Sequence, residues 1–174
     1  MLFDGRPIPP APPPYAGSPA AGAAREATLA AIDPAARRAP REAYERLAAI
    51  YRDLDAEVAR LGPRCDARGV CCDFDLVDHV LYASKLEIDL VKDHDPAARH
   101  LAPSGNRCPF LTDGRCGARE HRMLGCRTYF CQEGWEPHAS ELYERHYARV
   151  KAIARDLELD WTYAPALEQF RDGS

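Results

Sequence analysis

The cysteines read C-D-A-R-G-V-C-C over residues 65–72, C-P-F-L over 108–111, Cys116, and C-R-T-Y-F-C over 126–131. These segments hold all seven cysteines of the 174-residue chain. Seven thiols in one stretch, with an adjacent pair and Gly- and Pro-rich neighbours, leave three explanations: a metal centre, a disulfide framework or reactive thiol chemistry. An odd number fits a closed set of disulfides poorly. No apolar run follows a basic start, so the sequence carries no secretory signal and the expected location is the cytoplasm. There thiols stay reduced, and clustered cysteines serve as metal ligands more often than as disulfides. Metal binding is therefore the leading expectation.

A tetrahedral site needs four soft ligands in a small volume, and short loops deliver them with little closure entropy. The local pairs are Cys65 with Cys71 or Cys72, Cys108 with Cys116, and Cys126 with Cys131. None has the tight C-x-x-C spacing of a zinc knuckle. Adjacent Cys71 and Cys72 would point apart in an extended chain. Seven thiols allow one four-ligand centre with spare ligands, or an iron–sulfur cluster held by four of them. Cys72 and Cys131 are the first candidates for plain packing. His121 and His138, flanking the cysteines, could complete a Cys3His site, whereas His146 lies on a helical apolar stripe and reads as a packed residue.

Outward from the cysteines, the fold class is α+β, dominated by helix. Tyr44, Leu47, Ala48, Tyr51, Leu54, Val58 and Leu61 recur at three- and four-residue steps, predicting a helix over about 41–61 that Gly62-Pro63 stops. Leu142, His146, Val150, Ile153 and Leu157 form the stripe of a second long helix, from about 137–140 to 158. These two helices flank an irregular, metal-binding, cysteine-rich centre and pack against each other or around it. Between them, residues 74–82 are expected to be extended. Ser84-Lys85-Leu86-Glu87 is a capping box opening a short helix that Asp95-Pro96 ends. Thr112-Asp113-Gly114 marks a turn. Trp161, Tyr163, Leu167 and Phe170 close the core.

Residues 1–40 contain Pro7, Pro9, Pro10, Pro12, Pro13, Pro14 and Pro19 before an alanine-rich run. Such density removes backbone donors and predicts an extended, disordered arm, with residues 41–174 as a single cysteine-cluster domain. No stretch has the length needed to cross a membrane. A net charge of −4 gives no general attraction to nucleic acid or acidic lipid. Partners are not legible.

The cysteine segments resemble the YkgJ-type cysteine-cluster family, a zinc- or iron-chelating domain named for the pattern C-x-x-C-x-x-C-C. In that family C-P-F/Y-L and then C-x-I-Y-E-x-R-P-x-x-C-R follow. Cys108-Pro109-Phe110-Leu111 matches the second element, Cys116 and Cys126 stand ten apart as the family's do, and Arg122 and Cys126-Arg127 fall on its arginine and C-R pair. Cys65, Cys71 and Cys72 take the first, third and fourth positions of the opening motif. Arg68 takes the second, Met123 replaces the usual proline, and Ala118-Arg119 stands where isoleucine-tyrosine is common.

The resemblance covers about 65–131 and implies metal binding, zinc or an iron–sulfur cluster, through ligands drawn from Cys65, Cys71, Cys72, Cys108, Cys116, Cys126 and Cys131. Cys131 could restore the ligand lost at Arg68. Proteins with this domain have been labelled Fe–S oxidoreductases, and a similar pattern occurs in enzymes that methylate flagellin lysines. An iron–sulfur centre would suit an electron carrier or redox enzyme; zinc would suit an interaction or adaptor module. Six arginines (99, 107, 115, 119, 122 and 127) against Asp113 and Glu120 would balance the negative charge of a thiolate-ligated metal. A phosphate-cradling loop is the lesser reading of Cys116…Arg122, since the spacing lacks the histidine that would activate the thiol.

Overall fold

The computed structural model describes residues 2–3, 6–7, 38–65, 69–77, 79–94 and 103–171. Arg68, Arg99, the Asp95-Pro96 stop and most of the proline-rich arm lie outside the described residues. Leu2–Phe3 (β1) and Arg6–Pro7 (β2) pair antiparallel within that arm.

Two long helices dominate. Helix α1, Arg41–Leu61, buries Tyr44, Leu47, Tyr51, Leu54 and Val58 along one face. It ends at Gly62, whose left-handed backbone (φ +65°) lets its N–H donate to the Val58 carbonyl at 2.9 Å. Helix α4, Glu136–Asp156, turns Leu142, His146, Val150 and Ile153 inward. It begins slightly earlier than the stripe predicts, because Pro137 sits in its first turn, where a missing N–H costs nothing. Leu157 falls just past its end.

The two helices pack against each other. Three ion-pair groups cross the seam: Arg46 with Asp156 (2.7 Å), Arg149 with Asp53 (2.6 Å), and Arg145 and His146 with Glu57 (2.6 and 3.0 Å). Partner numbers fall on α4 as they rise on α1, so the helices run antiparallel. The exposed arginine pairs add little stability each, whereas His146 is buried and meets Glu57 at the edge of the core.

The predicted capping box is present. The Ser84 N–H and hydroxyl both donate to Glu87 Oε2 (2.9 and 2.8 Å), opening helix α2, Lys85–His94. The extended stretch expected over 74–82 is mostly not a strand. After Asp73 the chain turns back, with the Leu76 N–H on the Asp73 carbonyl and the His79 N–H on that of Val77. Only Tyr82–Ser84 (β3) finds a partner, Tyr163–Pro165 (β6), antiparallel and in register Ala83↔Ala164. The turn at Thr112-Asp113-Gly114 is confirmed, joining Leu111–Thr112 (β4) to Arg115–Cys116 (β5). Short helices α3, Leu124–Thr128, and α5, Ala166–Arg171, complete the described elements.

Helix α2 separates two apolar clusters. Leu86 and Leu90 join the α1–α4 core, while Ile88 and Val91 join Phe110, Met123, Ala166, Phe170 and the buried cysteines Cys72 and Cys108. The architecture is thus helix-dominated α+β with two-stranded sheets. Among the described residues no helix is long and apolar enough to cross a membrane.

Candidate functional site

Three backbone devices bring the cysteines together. Gly69, left-handed at φ +67°, starts a 3-10 turn over Val70–Cys72, with the Cys72 N–H on the Gly69 carbonyl at 2.9 Å. A Cβ at Gly69 would sit 2.5 Å from the Gly114 carbonyl oxygen, so only glycine lets this turn approach the β4–β5 hairpin. The Cys72 carbonyl then accepts the Cys108 N–H at 2.8 Å, beside the isolated bridge Asp73↔Arg107. Finally, Leu111↔Cys116 pairing and the Gly117 N–H on the Phe110 carbonyl (2.7 Å) fold Cys116 back over Cys108.

Cys126 arrives on α3, which is held from two sides. The Leu124 N–H donates to Glu87 Oε1 at 2.7 Å, and that carboxylate also accepts from the Tyr51 hydroxyl at 3.1 Å. Arg127, fully buried, donates from Nη1 to both carboxylate oxygens of Asp55 of α1, at 3.0 and 2.8 Å. It also donates to the Arg122 and Glu120 carbonyls, each at 2.8 Å, and lies 4.1 Å over the Tyr51 ring.

The result is a thiol group centred on Cys72. Cys108, Cys116 and Cys71 all lie close enough to perturb its thiol directly. Hydrogen bonding from Cys72 outweighs burial and lowers Cys71 to about 7 and Cys116 to about 6, and it lowers Cys108 as well. Arg122 lowers Cys71 and Cys116 further, and Arg119 adds to the effect on Cys116. The same three neighbours, followed by burial, push Cys72 far up. Burial raises Cys126, which lies in the electrostatic field of Cys108, Cys116 and Cys71. Among the described residues no group of three or more His, Cys, Asp or Glu is already arranged to hold a metal ion.

All seven cysteines line one cavity of about 560 Å³. Two expectations change. Cys71 and Cys72 do not diverge, because the 3-10 turn replaces the extended chain that would separate them. Cys72, a candidate for plain packing, is the centre of the group. Cys65 packs against the α1–α4 core and Cys131 is exposed, and both line the same cavity as the other five. The Cys72–Cys108 backbone bond adds a link between segments distant in sequence.

The arginines divide by role. Arg119 and Arg122 act on the thiols, Arg107 pairs with Asp73 at 2.8 Å, and Arg127 turns away to Asp55. Neither His121 nor His138 lines the cavity: His121 stacks on His94 with ring centres 3.8 Å apart, and His138 lies beside Trp135. Among the described residues His79 is the histidine on the cavity wall, packed between Phe74 (5.4 Å) and Tyr129 (4.7 Å). No sequence spacing marks it, because long-range folding alone puts it there. Comparison with protein-family models, with curated proteins and with solved structures yields no match.

Proposed function

We propose that this chain is a metal-binding cysteine-cluster protein whose thiol group holds zinc or an iron–sulfur cluster. One observation carries the reading: all seven cysteines line one cavity, where the Cys108 N–H bonded to the Cys72 carbonyl and the β4–β5 hairpin bring separate backbone segments together. A tetrahedral thiolate shell with metal–sulfur bonds of about 2.3 Å spaces its sulfurs about 3.8 Å apart. Metal binding would draw four of the cavity's thiols to that spacing. Cys72, Cys108 and Cys116 are assigned as ligands, with Cys71 or Cys126 as the fourth. Cys65 and Cys131 stand outside this set. An all-sulfur donor set suits soft metals and excludes magnesium or calcium.

The matched elements of the YkgJ-type pattern supply every member of the group, which supports the same reading. When bound, the metal would cross-link loops that bury few apolar side chains of their own. Arg119 and Arg122 would offset the negative charge of the thiolates.

The test is anaerobic purification with elemental analysis and a visible spectrum. Iron with acid-labile sulfide and a brown colour would make the centre a redox one; stoichiometric zinc without colour would make it structural and the protein an interaction module. Cys72→Ser and Cys108→Ser are expected to abolish metal retention, while Cys65→Ser and Cys131→Ser retain it. Metal-free protein with paired cysteines, or full retention in the Cys72→Ser/Cys108→Ser double variant, would overturn the assignment.

A further inference from the structure

The cavity is larger than a metal centre requires. Volumes of roughly 300–1,000 Å³ are those of small organic ligand sites, and this one measures about 560 Å³. The thiols share its wall with Tyr82, Tyr143 and Tyr163. At Gly125, next to Cys126, an added Cβ would lie 3.8 Å from the Tyr143 ring. Tyr82 and Tyr163 stack with ring centres 5.4 Å apart, and the Tyr143 and Tyr163 hydroxyls share a 2.5 Å hydrogen bond. Tyr163 is therefore held in a fixed plane from two sides. Val80, Tyr82 and Tyr129, all lining the cavity, remain 63, 43 and 37 % exposed, so large apolar side chains are kept in water around it. Lining charges of both signs are present, Arg115, Arg119 and Arg122 against Glu144. A charged ligand would meet a like charge on one wall; a neutral one would not.

We infer that this cavity binds a small, planar, uncharged aromatic molecule, stacked against the tyrosine wall beside the thiol group. Aromatic rings gain from offset-stacked or edge-to-face contacts at 4.5–7 Å beyond the area they bury, and the wall offers preset planes for both. The inference goes beyond the metal reading and does not depend on it.

Saturation-transfer NMR and calorimetry on the full chain, with metal content measured in the same preparations, test it. Indole serves as the neutral probe, with benzoate and benzylammonium as charged probes of similar size. Indole is expected to bind with a Kd of about 1 mM or tighter, and the charged probes roughly 5-fold or more weakly. Tyr82→Ala removes one face, and Ser140→Trp plugs the cavity from the exposed side of α4; both are expected to weaken indole binding roughly 5-fold or more. Unchanged thermal melting shows that these variants fold. No binding by indole, equal binding in both variants, or tightest binding by a charged probe would overturn the proposal. Indole binding to metal-free protein would leave it standing while the metal reading fails, and metal-loaded protein that ignores indole would do the reverse.

Discussion

Replacing Arg127 with methionine removes the buried cation that ties α3 to α1. The guanidinium has no exposed surface, and the Asp55 carboxylate facing it is 8 % exposed. In the variant that carboxylate stays buried without its partner, and the Arg122 and Glu120 carbonyls lose their donors. Breaking a buried pair from one side costs about 3–5 kcal/mol, a large part of the roughly 5–15 kcal/mol that keeps a domain folded. At about 2–4 °C per kcal/mol for a chain of this size, melting should fall by about 10 °C. Replacing both partners, Asp55→Leu with Arg127→Met, leaves no stranded charge, and buried pairs exchanged for apolar residues are often near neutral. The double variant should therefore recover to within about 2 kcal/mol of the parent. Urea denaturation of the parent, both single variants and the double variant completes the cycle. A cost below about 1 kcal/mol for Arg127→Met, or a double variant as unstable as the two singles added, would refute the buried-pair reasoning.

Three further outcomes are expected. Glu87→Gln sets an amide N–H2 among the donors from Ser84, Tyr51 and Leu124, so it should cost about 2 kcal/mol and speed hydrogen exchange over 124–128; unchanged exchange there would show that Glu87 does not hold α3. Gly69→Ala and Gly134→Ala both impose positive φ on a Cβ, but only Gly69 faces a backbone atom at 2.5 Å. The first should cost about 3 kcal/mol and the second about 1 kcal/mol by thermal denaturation, and equal costs would contradict the close approach of the 3-10 turn to the hairpin. For pH, burial holds the His94 imidazole down to about 4, against an ordinary value of about 6.5. The unfolded chain then binds more protons between those values, so this contribution is complete above about 6.5 and is lost as pH falls towards 4. His94→Gln should flatten the stability–pH curve in that window, as read by denaturation midpoints, and an unaltered slope would remove His94 as its source.

What the sequence reveals follows from how local each feature is. The stripe of α1 up to Val58, the Gly62 stop, the Ser84–Glu87 capping box and the 112–114 turn are decided within a few residues, and each is found where the pattern places it, whereas Leu61, also expected on the stripe, is half exposed. The cysteine segments were also legible as the unusual chemistry of the chain. Their grouping was not, because it depends on backbone pairing between Cys72 and Cys108 and on a left-handed glycine that converts an extended run into a turn. Arg127 illustrates the same limit: its neighbours suggest a role beside the thiols, yet its carboxylate partner comes from the middle of α1. The β3–β6 pairing had no local signal either, since Tyr82–Ser84 becomes a strand only when Tyr163–Pro165 reaches it.

The hydrogen bond from the Cys108 N–H to the Cys72 carbonyl also sets an order of events during synthesis. Cys72 leaves the ribosome 36 residues ahead of Cys108 (108 − 72), which at about 5–20 residues per second is a wait of about 2–7 s. Through that interval the adjacent thiols of Cys71 and Cys72 have neither Cys108 nor Cys116 to share a proton or a metal with. Oxidants in the surroundings meet them at their least protected. The strand that completes the neighbouring wall, β6, emerges later still. The nascent chain therefore carries the Cys71–Cys72 pair unsheltered well before the segments that cover it have been made.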